Sequence, residues 1–216
     1  MIMLWIIVFL THGLYVSALS PDSDVIVLTL WTELEKIPGG AGKDEISKAA
    51  LEDAQWIISG MLYGFNVQYV PLDRDRHVRE NLSVVPVVEI PFGDPALRVF
   101  KTWADNGRFY VQIRYNIYDY QQTRLKAWSS NIFPEAGGTG TVSLFNGRSG
   151  RLDSIKEGIK NALRHYLRVK IRNKPREIDA RVILDEPPYL TVKAGGYTAR
   201  VRIKFSIDKI IPYAVY

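Results

Sequence analysis

The chain predicts a single compact α+β domain: a mixed or antiparallel sheet with a β-α-β opening and two main helices. Apolar and polar residues alternate over Phe109 to Tyr120 and over Tyr197 to Ile207, the period of strands with one wet face. Apolar residues recur at three- and four-residue spacing over Ile46 to Met61 and over Leu152 to Leu167, the period of amphipathic helices. A continuous β-branched and apolar run, Val25 to Trp31, precedes the first helix, and Phe65 to Val70 follows it as a second strand. With 216 residues and 47% hydrophobic content the chain can bury one sizeable core, which excludes a disordered or low-complexity protein.

Met1 to Ala18 contains no charged side chain, and Leu4 to Leu10 is an unbroken apolar run. Val16-Ser17-Ala18 supplies the small residues a signal peptidase reads, and the polar Pro21-Asp22-Ser23-Asp24 follows. The expectation is an exported protein, cleaved after Ala18, whose residues 19–216 form the domain in the periplasm or outside the cell. An uncleaved membrane anchor is the alternative, because Met1-Ile2-Met3 brings no basic side chain. A buried first strand or helix is a third reading, opposed by His12-Gly13. No later stretch approaches the roughly 20 apolar residues of a spanning helix, so no transmembrane span is expected after cleavage. A cysteine-free exported domain suits a bacterial envelope better than a eukaryotic secretory pathway.

The remaining elements follow in order. A loop holds Pro38, Gly39, Gly40 and Gly42, after which Asp44 is placed to cap the first helix and Gly64 to end it. Strands are expected at Val84 to Ile90, Leu97 to Trp103 and Phe109 to Tyr120, the last two joined by a turn at Asn106-Gly107. Gly137, Gly138, Gly140, Gly147 and Gly150 read as a glycine-rich link. Ser154 and Glu157 then offer a capping box for the second helix, which Lys174-Pro175 ends. Strands at Ile178 to Leu184, Tyr189 to Lys193 and Tyr197 to Ile207 complete the chain.

Composition narrows the chemistry. The absence of cysteine excludes a disulfide framework, a thiol nucleophile, Cys-ligated zinc and iron–sulfur clusters. His77 and His165 are the histidines left after the export segment, too few for a multi-histidine centre. Gly42-Lys43 fails as a phosphate-binding loop because Ile37 stands where the first glycine belongs and Asp44 where Ser or Thr would hold magnesium. Gly138-Thr139-Gly140 fails as a dinucleotide fingerprint because Ser143 stands where a third Gly or Ala is needed. No Gly-x-Ser-x-Gly elbow occurs, and Ser206-Ile207-Asp208-Lys209 has the Ser-x-x-Lys spacing without its partner motifs. No cofactor and no catalytic residues are expected. Asp73, Asp75 and His77 sit on one side of an extended segment as cation ligands would, but Arg74 and Arg76 neutralise them locally, so no metal is expected. Pro212 to Tyr216 ends on an aromatic, as outer-membrane barrels do, yet two patterned helices oppose that reading.

Two features remain as candidate binding sites. Lys156, Lys160, Arg164 and Arg168 recur every fourth residue and predict one basic ridge opposite the apolar stripe of the second helix, unless it is an ordinary solvated face. In a chain of net charge +5 that is exported, its partner would be an envelope protein, an anionic polymer or a membrane surface, and not nucleic acid. Tyr110 and Tyr118, flanking Gln112, Arg114 and Asn116, predict a polar-aromatic strand face suited to a carbohydrate or a peptide. The stretch from Phe109 through Trp128-Ser129, a strand leading to Asp119, a Gln-Gln-Thr turn and a Trp-Ser pair, resembles a segment of envelope accessory domains such as the amino-terminal domain of TolB and curli-secretion assembly proteins. The resemblance carries over no functional residue, and the lipid-acceptor Cys of the lipoprotein members is missing. The expected function is therefore a non-enzymatic exported envelope protein acting through protein or polyanion contacts. A carbohydrate or peptide binder is the second reading, and a hydrolase with scattered acids the third.

Overall fold

The computed structural model describes residues 24–34 and 42–213. The expected export segment and its cleavage site, the loop residues Pro38 to Gly40, and Ala214 to Tyr216 lie outside the described residues. The chain is a single α+β domain built on antiparallel strands. Its elements run β1 (Val25–Glu33), α1 (Lys43–Leu62), β2 (Phe65–Val70), β3 (Asn81–Pro86), β4 (Leu97–Asp105), β5 (Arg108–Asn116), α2 (Asp119–Trp128), β6 (Glu135–Ser143), α3 (Ser149–Lys170), β7 (Glu177–Leu184), β8 (Tyr189–Lys193) and β9 (Gly196–Ile211).

One sheet has the order β1-β5-β4; the other runs β3-β2-β7-β9-β6, with β8 also paired to β9. The strand-helix-strand order of the opening is present, but β1 and β2 lie in different sheets. Helix α1 connects them and packs against strands of both. It does so with Ala54, Ile57, Ile58 and Met61, all fully buried, on the face that the three-four spacing marked. Gly64 ends it with φ of 81°, and a Cβ there would meet the Val182 carbonyl oxygen at 2.7 Å. The β4–β5 hairpin turns at Asn106 and Gly107, both with positive φ, as the Asn-Gly pair demands.

Several local expectations are corrected. Gly42, not Asp44, is the N-cap of α1. The strand expected from Val84 begins at Asn81, and β5 stops at Asn116, so Tyr118 is not on it. The Gln-Gln-Thr segment is not a turn: it lies in α2, whose start is tied by the Gln121 side chain accepting from the Tyr118 backbone N–H at 2.9 Å. Helix α3 starts five residues before Ser154, whose hydroxyl donates to the Arg151 carbonyl inside the helix. It ends at Lys170, ahead of Lys174-Pro175.

The glycine-rich link is strand β6, and its glycines are a packing device. A Cβ on Gly140 would lie 2.2 Å from the Ser154 carbonyl oxygen, and one on Gly138 would lie 2.1 Å from that of Gly158. Helix α3 therefore rests backbone-to-backbone on β6, burying Ile155, Ile159 and Leu163 completely. A second junction joins α1 to α3. Asp53 of α1 binds Arg151 of α3 at 3.0 Å and Arg148 at 3.0 Å, while Arg151 also donates to the Trp31 carbonyl and the Thr32 hydroxyl. Both Asp53 and Arg151 are buried, so this pair fastens both long helices to β1.

Candidate functional site

Between β2 and β3 the chain folds back in a tight turn. Asp73 and Val78 exchange backbone hydrogen bonds of 3.0 and 2.8 Å, and His77 takes φ of 57°. Asp73, only 5% exposed, holds the turn by accepting from the Arg76 backbone N–H and guanidinium, each at 3.1 Å. Burial pushes its carboxyl up, but the Arg76 hydrogen bonds and the charges of Arg76 and Lys174 prevail and hold it below the ordinary aspartate value. The Arg76 guanidinium also lies 4.3 Å over the Tyr213 ring. Asp75 and His77 are exposed, and among the described residues no three His, Asp or Glu are gathered to hold a metal.

This turn faces the C-terminal half of α3 across a groove of about 1200 Å³. Tyr69, Leu167 and Ile178 form a small apolar cluster at its base. Arg74 and Arg76 come from the turn, Arg164 and Arg168 from α3, and Arg172 and Lys174 from the segment after it. Three carboxylates line the same groove: Asp73, Asp75 and Glu80. Asp73 is engaged by Arg76, while Glu80 accepts from the Tyr69 hydroxyl at 2.8 Å and from Lys160 at 2.9 Å. Among the described residues no carboxylate forms an ion pair with Arg74, Arg164, Arg168 or Arg172. The Lys174 ammonium donates to the Leu72 carbonyl, tying the two walls together. Positive charge at the C-terminal end of α3 suits the helix dipole. That accounts for Arg168 but not for arginines arriving from the turn.

The expected ridge is divided by the fold. Arg164 and Arg168 are exposed and enter the groove. Lys160 does not: it is 4% exposed, with its ammonium 2.9 Å from Glu80 and 2.7 Å from Glu157. Its apolar stem is buried beside the packed face of α3, and two carboxylates meet the charge that burial would otherwise penalise. Burial pushes the Glu80 carboxyl up, but the hydrogen bonds from Lys160 and Tyr69 outweigh it and hold it below the ordinary glutamate value. Lys156 is half-buried, bonded to Asp153 at 3.0 Å and lying 5.8 Å over the Trp56 ring. Four-residue spacing identified the helix face but carried no information about Glu80, which is 80 residues away.

The expected tyrosine face is also divided. On β5, Tyr110 stacks on Trp103 at 5.1 Å, and Arg114 lies 3.3 Å over the Phe100 ring, so both already have partners on the neighbouring strand. Tyr118 stands apart at the start of α2. Its hydroxyl donates to Asp94 at 3.2 Å and its ring stacks on Tyr120 at 5.7 Å. Asp94 also accepts from the Tyr115 hydroxyl at 3.4 Å, and Gln121 donates to the Tyr63 and Tyr115 hydroxyls at 2.7 and 2.8 Å.

Fold and groove together define an α+β domain in which the β2–β3 turn, α3 and the segment after it line one arginine-rich concavity. The chain belongs to the uncharacterised protein family whose model matches residues 14–213. It is similar to an uncharacterized protein of Treponema pallidum (strain Nichols), 23% identical over 197 residues that cover 88% of this chain and 83% of the relative. No solved structure matches it. No helix among the described residues is long and apolar enough to cross a membrane.

Proposed function

We propose that this is a non-enzymatic, exported protein of the bacterial envelope that binds a phosphate-bearing anionic surface or polymer through the basic groove. The observation that carries the reading is the convergence of Arg74, Arg164, Arg168 and Arg172 from separate segments, without ion-pair partners among the described residues, onto one concave surface. Like charges lining one groove repel, and a bound polyanion relieves that repulsion. Export rests on the apolar, uncharged Met1 to Ala18 and its Val16-Ser17-Ala18 ending. A bacterial setting is supported by the relative from Treponema pallidum.

The test is co-sedimentation with phosphatidylglycerol–phosphatidylcholine vesicles against pure phosphatidylcholine, with soluble polyphosphate as competitor. Each basic residue near an anionic surface contributes about 1 kcal/mol, so the combined Arg164→Gln, Arg168→Gln and Arg172→Gln variant binds about a hundredfold more weakly. Raising salt severalfold releases the wild type. Equal binding of variant and wild type at low salt sinks the proposal.

A further inference from the structure

A second concavity shares no lining residue with the basic groove and has the opposite chemistry. It is a cleft of about 550 Å³ between the Val88 to Pro95 segment, the end of α1 and the start of α2. Its walls carry the aromatic rings of Tyr63, Phe92, Tyr115, Tyr118 and Tyr120, together with the carboxylates of Asp94 and Glu89, and among the described residues no basic residue lines it. Phe92 and Tyr120 are 72% and 65% exposed, large rings held at the mouth rather than folded into the core.

The polar groups inside are fixed in place. One Asp94 oxygen accepts from the Ala96 backbone N–H at 2.8 Å and from the Tyr118 hydroxyl at 3.2 Å; the other has, among the described residues, only the long 3.4 Å contact from Tyr115 and keeps accepting capacity. The hydrogen bond with Tyr63, and then burial, push the Tyr120 hydroxyl up to about 12, so this phenol stays neutral near pH 7. The rings already attract the chain's own cations. Lys48 lies 5.9 Å over Phe92 and Arg124 lies 5.6 Å over Tyr63, though neither lines the cleft. The partial positive charge at the start of α2 is met by Asp119 in its first turn.

We propose that this cleft binds an organic cation, an alkylguanidinium or alkylammonium group, seated against the Asp94 carboxylate with the Phe92 and Tyr120 rings beside it. A carboxylate with spare accepting capacity among aromatic rings discriminates charge, since ring quadrupole and carboxylate both favour a cation. A neutral sugar gains stacking alone.

NMR titration of the full chain with N-acetyl-arginine amide tests this against N-acetyl-citrulline amide, its uncharged isostere, and against N-acetylglucosamine. The arginine derivative is expected to bind about tenfold more tightly than the citrulline one, and to weaken with salt. A short arginine peptide binding more tightly than the amide marks the source as a protein partner, and equal binding marks it as a free cation. Asp94→Asn is expected to abolish the preference for arginine. Tyr120→Leu, at an exposed ring whose loss leaves the core untouched, is expected to weaken arginine binding severalfold with an unchanged melting temperature. Equal binding of arginine and citrulline, binding of the sugar alone, no binding of any probe, or Tyr120→Leu binding like the wild type would overturn the proposal.

Discussion

Replacing Gly140 with alanine tests whether the α3–β6 contact governs the packing of the domain. The added Cβ would lie 2.2 Å from the Ser154 carbonyl oxygen, 2.3 Å from the Gly158 nitrogen and 2.6 Å from the Glu157 Cβ. The two nearest atoms are helix backbone, so no rotamer change relieves the clash, and α3 must retreat by about 1 Å to restore ordinary van der Waals separation. That retreat loosens Ile155, Ile159 and Leu163, all fully buried against the sheet. Overpacking costs about 1–3 kcal/mol in general, and with backbone on the far side the upper end is expected. For a domain of this size that is about 6–12 °C in melting temperature. Gly137 is the internal control: its Cβ would meet only the Val201 carbonyl oxygen at 3.9 Å. Alanine there relieves the entropy of an unfolded glycine and is neutral or stabilising by up to about 1 kcal/mol. Thermal and urea unfolding followed by circular dichroism compares the two. Similar melting temperatures for Gly140→Ala and Gly137→Ala would refute the close-approach argument.

Two further variants probe the buried charges. Asp53→Ala leaves the buried Arg151 guanidinium with only the Trp31 carbonyl and the Thr32 hydroxyl, and is expected to cost about 3–5 kcal/mol in urea unfolding, far more than Arg148→Ala at the exposed end of the same network. Glu80→Gln tests the pH dependence. The Glu80 carboxyl is held below its ordinary value in the folded chain, so its contribution is fully present above about pH 4.5 and is lost as pH falls through the folded value. The gap in melting temperature between wild type and Glu80→Gln is therefore constant near neutrality and narrows in acid; a gap that widens in acid contradicts the assignment.

What could be read from the sequence was local. Asn106-Gly107 specified its hairpin, and the alternation Phe109, Val111, Ile113, Tyr115 specified the buried face of β5, because both signals lie within a few residues. Strand β6 escaped because three glycines remove the β-branched signature while serving a helix that lies against it. Half of the basic face was legible for the same reason: spacing placed Arg164 and Arg168 correctly on α3. Nothing local announced that Glu80 would take Lys160 out of the ridge, or that Arg74 and Arg76 would face it. Tyr118 lies off the strand because the expected alternation, Phe109 to Tyr120, runs four residues past Asn116, where β5 ends.

The position of β9 in the six-stranded sheet bears on how the protein is made. This sixteen-residue strand is hydrogen-bonded to β6, β7 and β8, yet it follows all three in the chain. While β9 is still being synthesised, β6 and β8 have no strand to pair with among the described residues, and β7 has only β2. Helix α3 can form early by local contacts, but the sheet it rests on cannot close behind it. The six-stranded sheet of a nascent chain therefore stays incomplete until the residues of β9 have been added. The same dependence exposes apolar strands during that interval and makes a chain shortened before β9 a candidate for aggregation rather than for a smaller folded core.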